Sequence, residues 1–218
     1  GKRVQSMMGA KNHVVVMPDA NKEQTLNAMV GAAFGAAGQR CMALSVAVMV
    51  GDSKHWINEL VAKAKTLSVN AGHEPNTDIG PVISPRAKAR VIDLINSGVE
   101  QGAELLLDGR DIQVKGYENG NFVGATVFSN VTTDMRIYKE EIFGPVLTII
   151  CVDTLDEAIE LVNANPFGNG VGLFTQSGAV ARTFQNRIDI GQVGINIPIP
   201  VPVPFFSFTS SRGSKLGD

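Results

Sequence analysis

Val14-Val15-Val16 is an uninterrupted apolar run closed by Pro18-Asp19, the pattern of a short buried strand. From Asp19 to Gly38 the apolar positions Leu26, Met29, Val30, Ala33, Phe34 and Ala37 recur at three- and four-residue steps, which predicts one helix behind a polar cap region. The second half of that helix, Gly31 to Gly38, is almost free of bulky or polar side chains. Each glycine costs a helix roughly 1 kcal/mol, so close packing against other backbone is expected there. A membrane dimerisation motif needs a longer apolar run. Ser45–Val50 follows as a strand and Trp56–Leu67 as an amphipathic helix. Ser84-Pro85 reads as a cap with proline at the first helical position, ahead of a helix over Arg86–Val99.

Glu104–Leu107 is a short strand, and Asp108–Val123, with Gly109, Gly116, Asn119 and Gly120, suggests a hairpin-like excursion. Beyond it the alternation is regular. Val146–Val152 is a continuous apolar strand, Thr154–Asn163 a helix broken by Asn165-Pro166, Val171–Thr175 a strand, Ala179–Ile188 a helix and Val193–Ile197 a strand. This spacing predicts right-handed βαβ units, hence an α/β fold with a mainly parallel sheet flanked by helices. The run from Ile197 to Pro204 has proline at every second position, so alternate residues lack a backbone donor; it should be extended and stiff, not a further sheet strand.

Composition fits that picture. Of 218 residues, 44% are hydrophobic and 18% charged, which suits one large globular domain with a buried core. Nineteen basic and twenty-one acidic residues, without long blocks, indicate neither a nucleic-acid nor an anionic-membrane surface. No apolar run reaches the length of a membrane span. Two cysteines and three histidines lie too far apart in sequence for a zinc or haem pattern. A Cys41–Cys151 disulfide is allowed by counting, but a chain of this size does not need one, and a reducing compartment is expected. The chain opens at Gly1-Lys2-Arg3 and is read as a piece of a longer protein.

Two runs carry candidate chemistry. Cys41 follows the glycine- and alanine-rich segment and Gln39-Arg40; the Arg40 charge favours the thiolate, the reactive form, while the plainer reading is an inert core thiol. Cys151, inside Leu147–Val152, reads as strand core. Lys139-Glu140-Glu141-Ile142-Phe143-Gly144-Pro145 places two acids before a buried strand: a solvated loop edge, or a carboxylate able to accept hydrogen bonds from ribose hydroxyls.

Taken in order, Gly38-Gln39-Arg40-Cys41, then Glu140-Glu141-Ile142-Phe143-Gly144-Pro145 about a hundred residues on, then Asn165 to Thr175, resemble the catalytic domain of the aldehyde dehydrogenase superfamily over the whole chain, residues 1–218. Met8 to His13, Gly31 to Leu44, Lys115 to Phe122 and Ile197 to Pro204 are similar to its CoA-acylating branch, which converts methylmalonate or malonate semialdehyde to propionyl-CoA or acetyl-CoA with release of carbon dioxide and reduction of NAD. That resemblance implies a place in valine and pyrimidine breakdown, in the mitochondrial matrix for a eukaryotic source and otherwise the cytoplasm, and a homotetramer. The partners it implies are a small aldehyde and CoA.

The resemblance also implies roles. Cys41 is the nucleophile, passing through a thiohemiacetal and a thioester, with its own N–H and an asparagine from outside this chain on the oxyanion. Glu141 binds the nicotinamide ribose and Phe143 packs near the nicotinamide ring. Arg40 either pairs with a substrate carboxylate through its guanidinium fork or only favours the Cys41 thiolate; a structural ion pair is the plainer role. Phe208 lines the substrate tunnel, and Lys11 is a structural charge. Hydrolytic relatives carry a general-base glutamate where this chain has Met7, and methionine cannot take a proton from water. The acyl-enzyme is therefore expected to wait for a thiol; release of a free acid, or a catalytically inactive relative, are the alternatives. No Gly-x-Gly-x-x-Gly turn occurs here, so the resemblance puts the NAD-binding half before Gly1 and an oligomerising strand after Asp218. On that basis the chain alone is expected to lack NAD-dependent turnover.

Overall fold

The structure, a computed structural model, describes residues 1–217. In chain order its elements are β1 (Ser6–Met7), β2 (Asn12–Val16), α1 (Lys22–Phe34), β3 (Leu44–Val50), α2 (Ile57–Lys65), α3 (Pro85–Glu100), β4 (Glu104–Leu107), β5 (Thr126–Ser129), α4 (Arg136–Lys139) and β6 (Val146–Val152). There follow α5 (Leu155–Ala164), β7 (Phe167–Gly168), β8 (Gly170–Phe174), α6 (Gly178–Arg187), β9 (Gln192–Ile195), β10 (Ser211–Arg212) and β11 (Lys215–Leu216). Seven strands form one sheet in the order β4-β5-β6-β3-β2-β8-β9, parallel throughout except for the β4–β5 pair. The expected α/β class with a mainly parallel sheet is what forms. Two small antiparallel pairs, β1–β11 and β10–β7, sit apart from it.

Strand alternation divides the core between two faces. Val14, Val16, Ala47, Met49, Leu147 and Ile149 pack with Leu26, Met29 and Phe34 of α1 and Leu60 of α2. Val15, Val46, Val48, Val146 and Ile150 pack on the other face with Val91, Leu94 and Ile95 of α3, Ile159 of α5 and Phe184 of α6. Helices on both faces are what allow the strands to be apolar on both sides. The starts of α1, α3, α5 and α6 are set by side-chain caps: Asn21, Ser84, Thr154 and Ser177 each accept a backbone N–H from three residues ahead. Ser84-Pro85 is thus cap and first position, as its sequence predicts.

Several expectations change. The first helix does not run to Gly38: it ends at Phe34, and a 3-10 turn over Gly35–Gly38 carries Ala36 and Ala37 in left-handed conformation (φ 53° and 52°). Of the glycines in the Gly31–Gly38 run, Gly38 packs on backbone as expected, against the Gly144 carbonyl, whereas a side chain at Gly31 would meet open space and one at Gly35 would meet the Arg40 guanidinium. Asp108–Val123 holds turns without strands of its own and loops out between antiparallel β4 and β5, its neck closed by Gly124 N–H donating to Gly109 O at 2.8 Å. β5 and the single turn of α4 lie outside the sequence-based expectations. The proline run stays out of the sheet and folds over it where Gly172 and Gly194 leave room for the Ile197 carbonyl.

Cys151 is not core. Alternation carries it to the α1–α2 face one step past Ile149, where cover ends, and it is solvent-exposed. Partial desolvation pushes its thiol pKa up, opposed by Lys54. Both cysteines are free thiols, and a Cys41–Cys151 disulfide is excluded by topology. Cys41 precedes the start of β3, whereas Cys151 lies near the end of the parallel neighbour β6, opposite Met49.

Candidate active site

Parallel strands β2, β3, β6 and β8 bring their amino ends together, and the candidate residues gather there: Asn12 opens β2, Cys41 precedes β3, Glu141 and Phe143 precede β6, and Asn169 precedes β8. Ligands of open α/β sheets more often sit at the carboxyl ends of strands, so this is a departure from the usual arrangement. A narrow cleft is lined by Ala10, Asn12, Arg40, Cys41, Glu141 and Phe143.

Cys41 is exposed at the corner of a tight turn closed by Ala43 N–H donating to Arg40 O at 3.0 Å. The approach to that turn is crowded. Gly38 has φ +68°, and any side chain there would collide with the Gly144 carbonyl, so the loop before Cys41 and the loop after Phe143 touch through backbone. Gln39 secures another neighbour: its Oε1 accepts Ile83 N–H at 2.8 Å. Phe143 has φ +56°, a conformation that costs a bulky residue of order 1–3 kcal/mol and persists where surroundings impose it. It leaves Phe143 43% exposed at the cleft.

The Arg40 guanidinium turns back onto α1. Its Nη2 donates to Gly31 O at 3.0 Å and Ala32 O at 2.8 Å, carbonyls of the last helical turn; Gly31 O also accepts the Gly35 N–H. Burial lowers its pKa, opposed by Cys41. The Nε atom is buried without a protein partner.

The two adjacent acids are held differently. Glu140 Oε1 accepts Arg136 Nε at 2.8 Å, and its Oε2 lies 3.5 Å from Arg90 Nη1. The Arg136 hydrogen bond, ahead of other causes, keeps its carboxyl below the usual range. Glu141 faces the cleft: Oε1 accepts Ala10 N–H at 3.1 Å, and desolvation raises its pKa against that hydrogen bond and against Lys11 and Arg90. Its backbone is fixed from behind. Arg90 Nη2 donates to Glu141 O at 2.8 Å, while buried Lys11 Nζ donates to Ile137 O at 2.6 Å and Glu140 O at 2.8 Å. Desolvation lowers the Lys11 pKa to about 7 despite both glutamates. Lys11 is thus an interior tether for the carboxylate loop, more than a border charge.

Reading residues in sequence missed Asn12 and Asn169. Asn12 Nδ2 donates to Cys41 O and Ala43 O, both at 2.9 Å, and its Oδ1 accepts Gly170 N–H at 3.1 Å. Asn169 Nδ2 donates to Cys41 O at 3.0 Å, and its Oδ1 accepts from Ser210 Oγ at 2.6 Å. A polar residue opening an apolar strand was the available signal, and it is a common one. Phe208 is half-buried two residues before Ser210, with its carbonyl accepting from Gln5 at 3.4 Å; it does not line the Cys41–Glu141 cleft. Met7 is 46% exposed in β1, paired with Lys215. Among the described residues no group of histidine, cysteine and acidic side chains could hold a metal ion.

An exposed thiol on a tight turn, facing a carboxylate and an aromatic ring, is an arrangement that suits covalent chemistry beside a bound cofactor. The model of the aldehyde dehydrogenase family matches residues 1–218. The methylmalonate-semialdehyde/malonate-semialdehyde dehydrogenases (acylating, mitochondrial) of Bos taurus and Homo sapiens are each 66% identical over all 218 residues, which cover 41% of those proteins. A putative methylmalonate-semialdehyde dehydrogenase from Sinorhizobium meliloti, solved with NAD, superposes with a TM-score of 0.97 at 47% identity, covering 100% of this chain and 45% of that one. The enzyme of that name from Oceanimonas doudoroffii gives 0.97 at 46% identity with the same coverage. The chain therefore spans somewhat less than half the length of these relatives. With its full length matched, the chain belongs to the aldehyde dehydrogenase family.

Proposed function

We propose that residues 1–218 are the catalytic domain of an NAD-dependent, CoA-acylating methylmalonate/malonate-semialdehyde dehydrogenase. The observation that carries this reading is the 66% identity, unbroken over the chain, with acylating relatives. Met7 supports it chemically, since the place of a water-activating carboxylate holds a thioether. Those relatives are named mitochondrial, which favours the mitochondrial matrix for a eukaryotic source. A homotetramer, and a dinucleotide-binding domain in the length of the relatives that this chain does not cover, belong to the same proposal.

In this mechanism the Cys41 thiolate adds to the aldehyde carbon, and the Cys41 N–H meets the developing oxyanion. Glu141 suits a ribose: Ala10 N–H fixes one carboxylate oxygen and leaves the other to accept hydroxyl protons. Phe143 offers its exposed ring as the adjoining wall. NAD bound there would supply the hydride acceptor. Oxidation leaves a thioester on Cys41; the substrate carboxylate departs as carbon dioxide, a solvent proton takes its place on the α-carbon, and the CoA thiol takes the acyl group while the cysteine thiol is regenerated. Arg40, committed through Nη2 to α1, retains Nη1 for a substrate carboxylate, and Phe208 is proposed as part of the approach to Cys41.

The test is CoA dependence in the full-length enzyme. Product should form from malonate semialdehyde and NAD only when CoA is present. Steady release of free acid without CoA would replace this reading with a hydrolytic one.

A further inference from the structure

Cys41 and Met42 are the two central residues of the turn closed by Ala43 N–H on Arg40 O. The peptide joining them is the one unit such a turn leaves unfixed, because turn types differ chiefly in which way that central peptide faces. Here its carbonyl oxygen is taken twice, by Asn12 Nδ2 at 2.9 Å and Asn169 Nδ2 at 3.0 Å, which uses both lone pairs. Both asparagines are buried, 5% exposed each, and both carboxamides are satisfied on either side. Asn12 also holds Ala43 O and Gly170 N–H; Asn169 also reaches Met42 Sδ at 3.0 Å and accepts from Ser210 Oγ. In a trans peptide the C=O and N–H point opposite ways, so drawing Cys41 O inward turns Met42 N–H outward. Among the described residues no protein acceptor takes the N–H of Cys41 or of Met42.

We infer that Asn12 and Asn169 are positioning residues that lock the Cys41–Met42 peptide, and that Asn169 couples this peptide through Ser210 to the segment carrying Phe208. The inference rests on the reading of Cys41 as the nucleophile. Its physical content is electrostatic. A locked peptide keeps its carbonyl, with its partial negative charge, away from the sulfur. A released one can flip and exchange an N–H for that carbonyl beside the thiolate. The Ser210 hydroxyl orders the Asn169 carboxamide by holding its oxygen, so a change at residues 208–210 reaches the nucleophile through two hydrogen bonds.

The test is alkylation of Cys41 by iodoacetamide at pH 7 in the whole protein, followed by peptide mass spectrometry with Cys151 as the internal reference. The variants are Asn169→Leu, Ser210→Ala and the two combined. One hydrogen bond is worth about 0.5–1.5 kcal/mol, so Cys41 alkylation should slow about tenfold in Asn169→Leu and about threefold in Ser210→Ala, with Cys151 unchanged. The double variant should be no slower than Asn169→Leu alone, because Ser210 acts through Asn169. Three results would overturn the inference: Cys41 rates within twofold of the parent in both single variants, Cys41 and Cys151 changing together as in general loosening, or effects that multiply in the double variant. Ser210→Ala keeps the test open if Asn169→Leu fails to fold. Iodoacetamide needs neither NAD nor aldehyde, so a negative result here leaves the acyl-transfer reading standing, and failure of CoA dependence leaves this result standing.

Discussion

The two ends of the sheet use similar materials differently, and each carries a free cysteine. At the carboxyl ends, Ser53 Oγ donates to Val16 O at 3.0 Å and Thr175 Oγ1 donates to Asp19 at 2.9 Å. These contacts close short connections into the next helix, and Cys151 is exposed at the same end of the sheet, with the Lys54 charge nearby. At the amino ends the backbone is bent into left-handed conformation at Ala36, Ala37, Gly38 and Phe143, and buried Lys11, Asn12 and Asn169 spend their hydrogen bonds on loop carbonyls. Left-handed residues also follow β5 and β9, at Asn130 and Asn196, but asparagine tolerates that conformation; the costlier alanine and phenylalanine strain falls together with buried Lys11, Asn12 and Asn169 around Cys41 and Glu141. Exposure alone does not separate the two thiols; the concentration of constraint behind one of them does.

The sharpest way to break the comparison is to remove each thiol in the full-length enzyme. Cys41→Ala should lower NADH production from semialdehyde and CoA by at least about a thousandfold, since the proposed mechanism carries the acyl chain on Cys41. Cys151→Ala should stay within twofold of the parent. Comparable losses in both would mean that the end of the sheet does not decide which cysteine matters.

Glycines give a second, smaller contrast. Gly38 and Gly51 both have positive φ, +68° and +53°. At Gly51 the nearest atom to an added Cβ is Pro18 Cγ at 3.6 Å, ordinary contact, so Gly51→Ala should cost only the backbone term, about 1 kcal/mol. At Gly38 the same change adds a collision with the Gly144 carbonyl, which is backbone and cannot swing aside. Gly38→Ala should cost about 3 kcal/mol, the sum of strain and overpacking, and it should separate the Cys41 turn from the Phe143 loop. Thermal melting of the two variants measures the difference; equal losses would show that the loops can part without cost.

Which of these features were legible in the residues follows from how local each cause is. Val146–Val152 and Glu104–Leu107 are strands with the expected bounds because apolar runs between turn residues mark both. Ser84-Pro85 announces its helix by cap chemistry. The end of α1 gives no such warning: alanine is the best helix former, yet Ala36 and Ala37 are left-handed because the chain must turn toward the Gly144 loop. Cys151 reads as core because its neighbours in sequence are apolar; its exposure depends on where the helices on that face stop. The runs around Cys41 and Glu141 show candidate chemistry in their residues, but a plainer reading of each stays open until the family resemblance is added. What each side chain does, Arg40 on the carbonyls of α1 or Lys11 behind Glu140, depends on partners far away in sequence. Asn12 and Asn169 show the limit most plainly, since a carboxamide at a strand start means little until the turn it holds is known.

The finest test of the comparison lies within the amino end, between the adjacent acids. Glu140 is tied to Arg136 and Arg90 at the surface, whereas Glu141 spends one oxygen on Ala10 N–H and keeps its charge in the cleft. Glu140→Gln should therefore lower stability by no more than about 1 kcal/mol, since exposed pairs are screened, and leave the KM for NAD unchanged. Glu141→Gln keeps an acceptor for Ala10 but loses the charge, and a hydrogen bond to a charged group exceeds a neutral one by about 1–1.5 kcal/mol; its KM for NAD should rise about tenfold with little change in melting temperature. The pH dependence gives the sign. Because desolvation raises the Glu141 pKa, its carboxylate takes up a proton at higher pH than an ordinary glutamate as acidity increases. In the parent, the KM for NAD should climb as pH falls toward that point, and in Glu141→Gln this climb should vanish. If Glu140→Gln moves the KM as far as Glu141→Gln does, the two acids act as one anionic patch, and the division drawn by Arg136, Arg90 and Ala10 has no functional meaning.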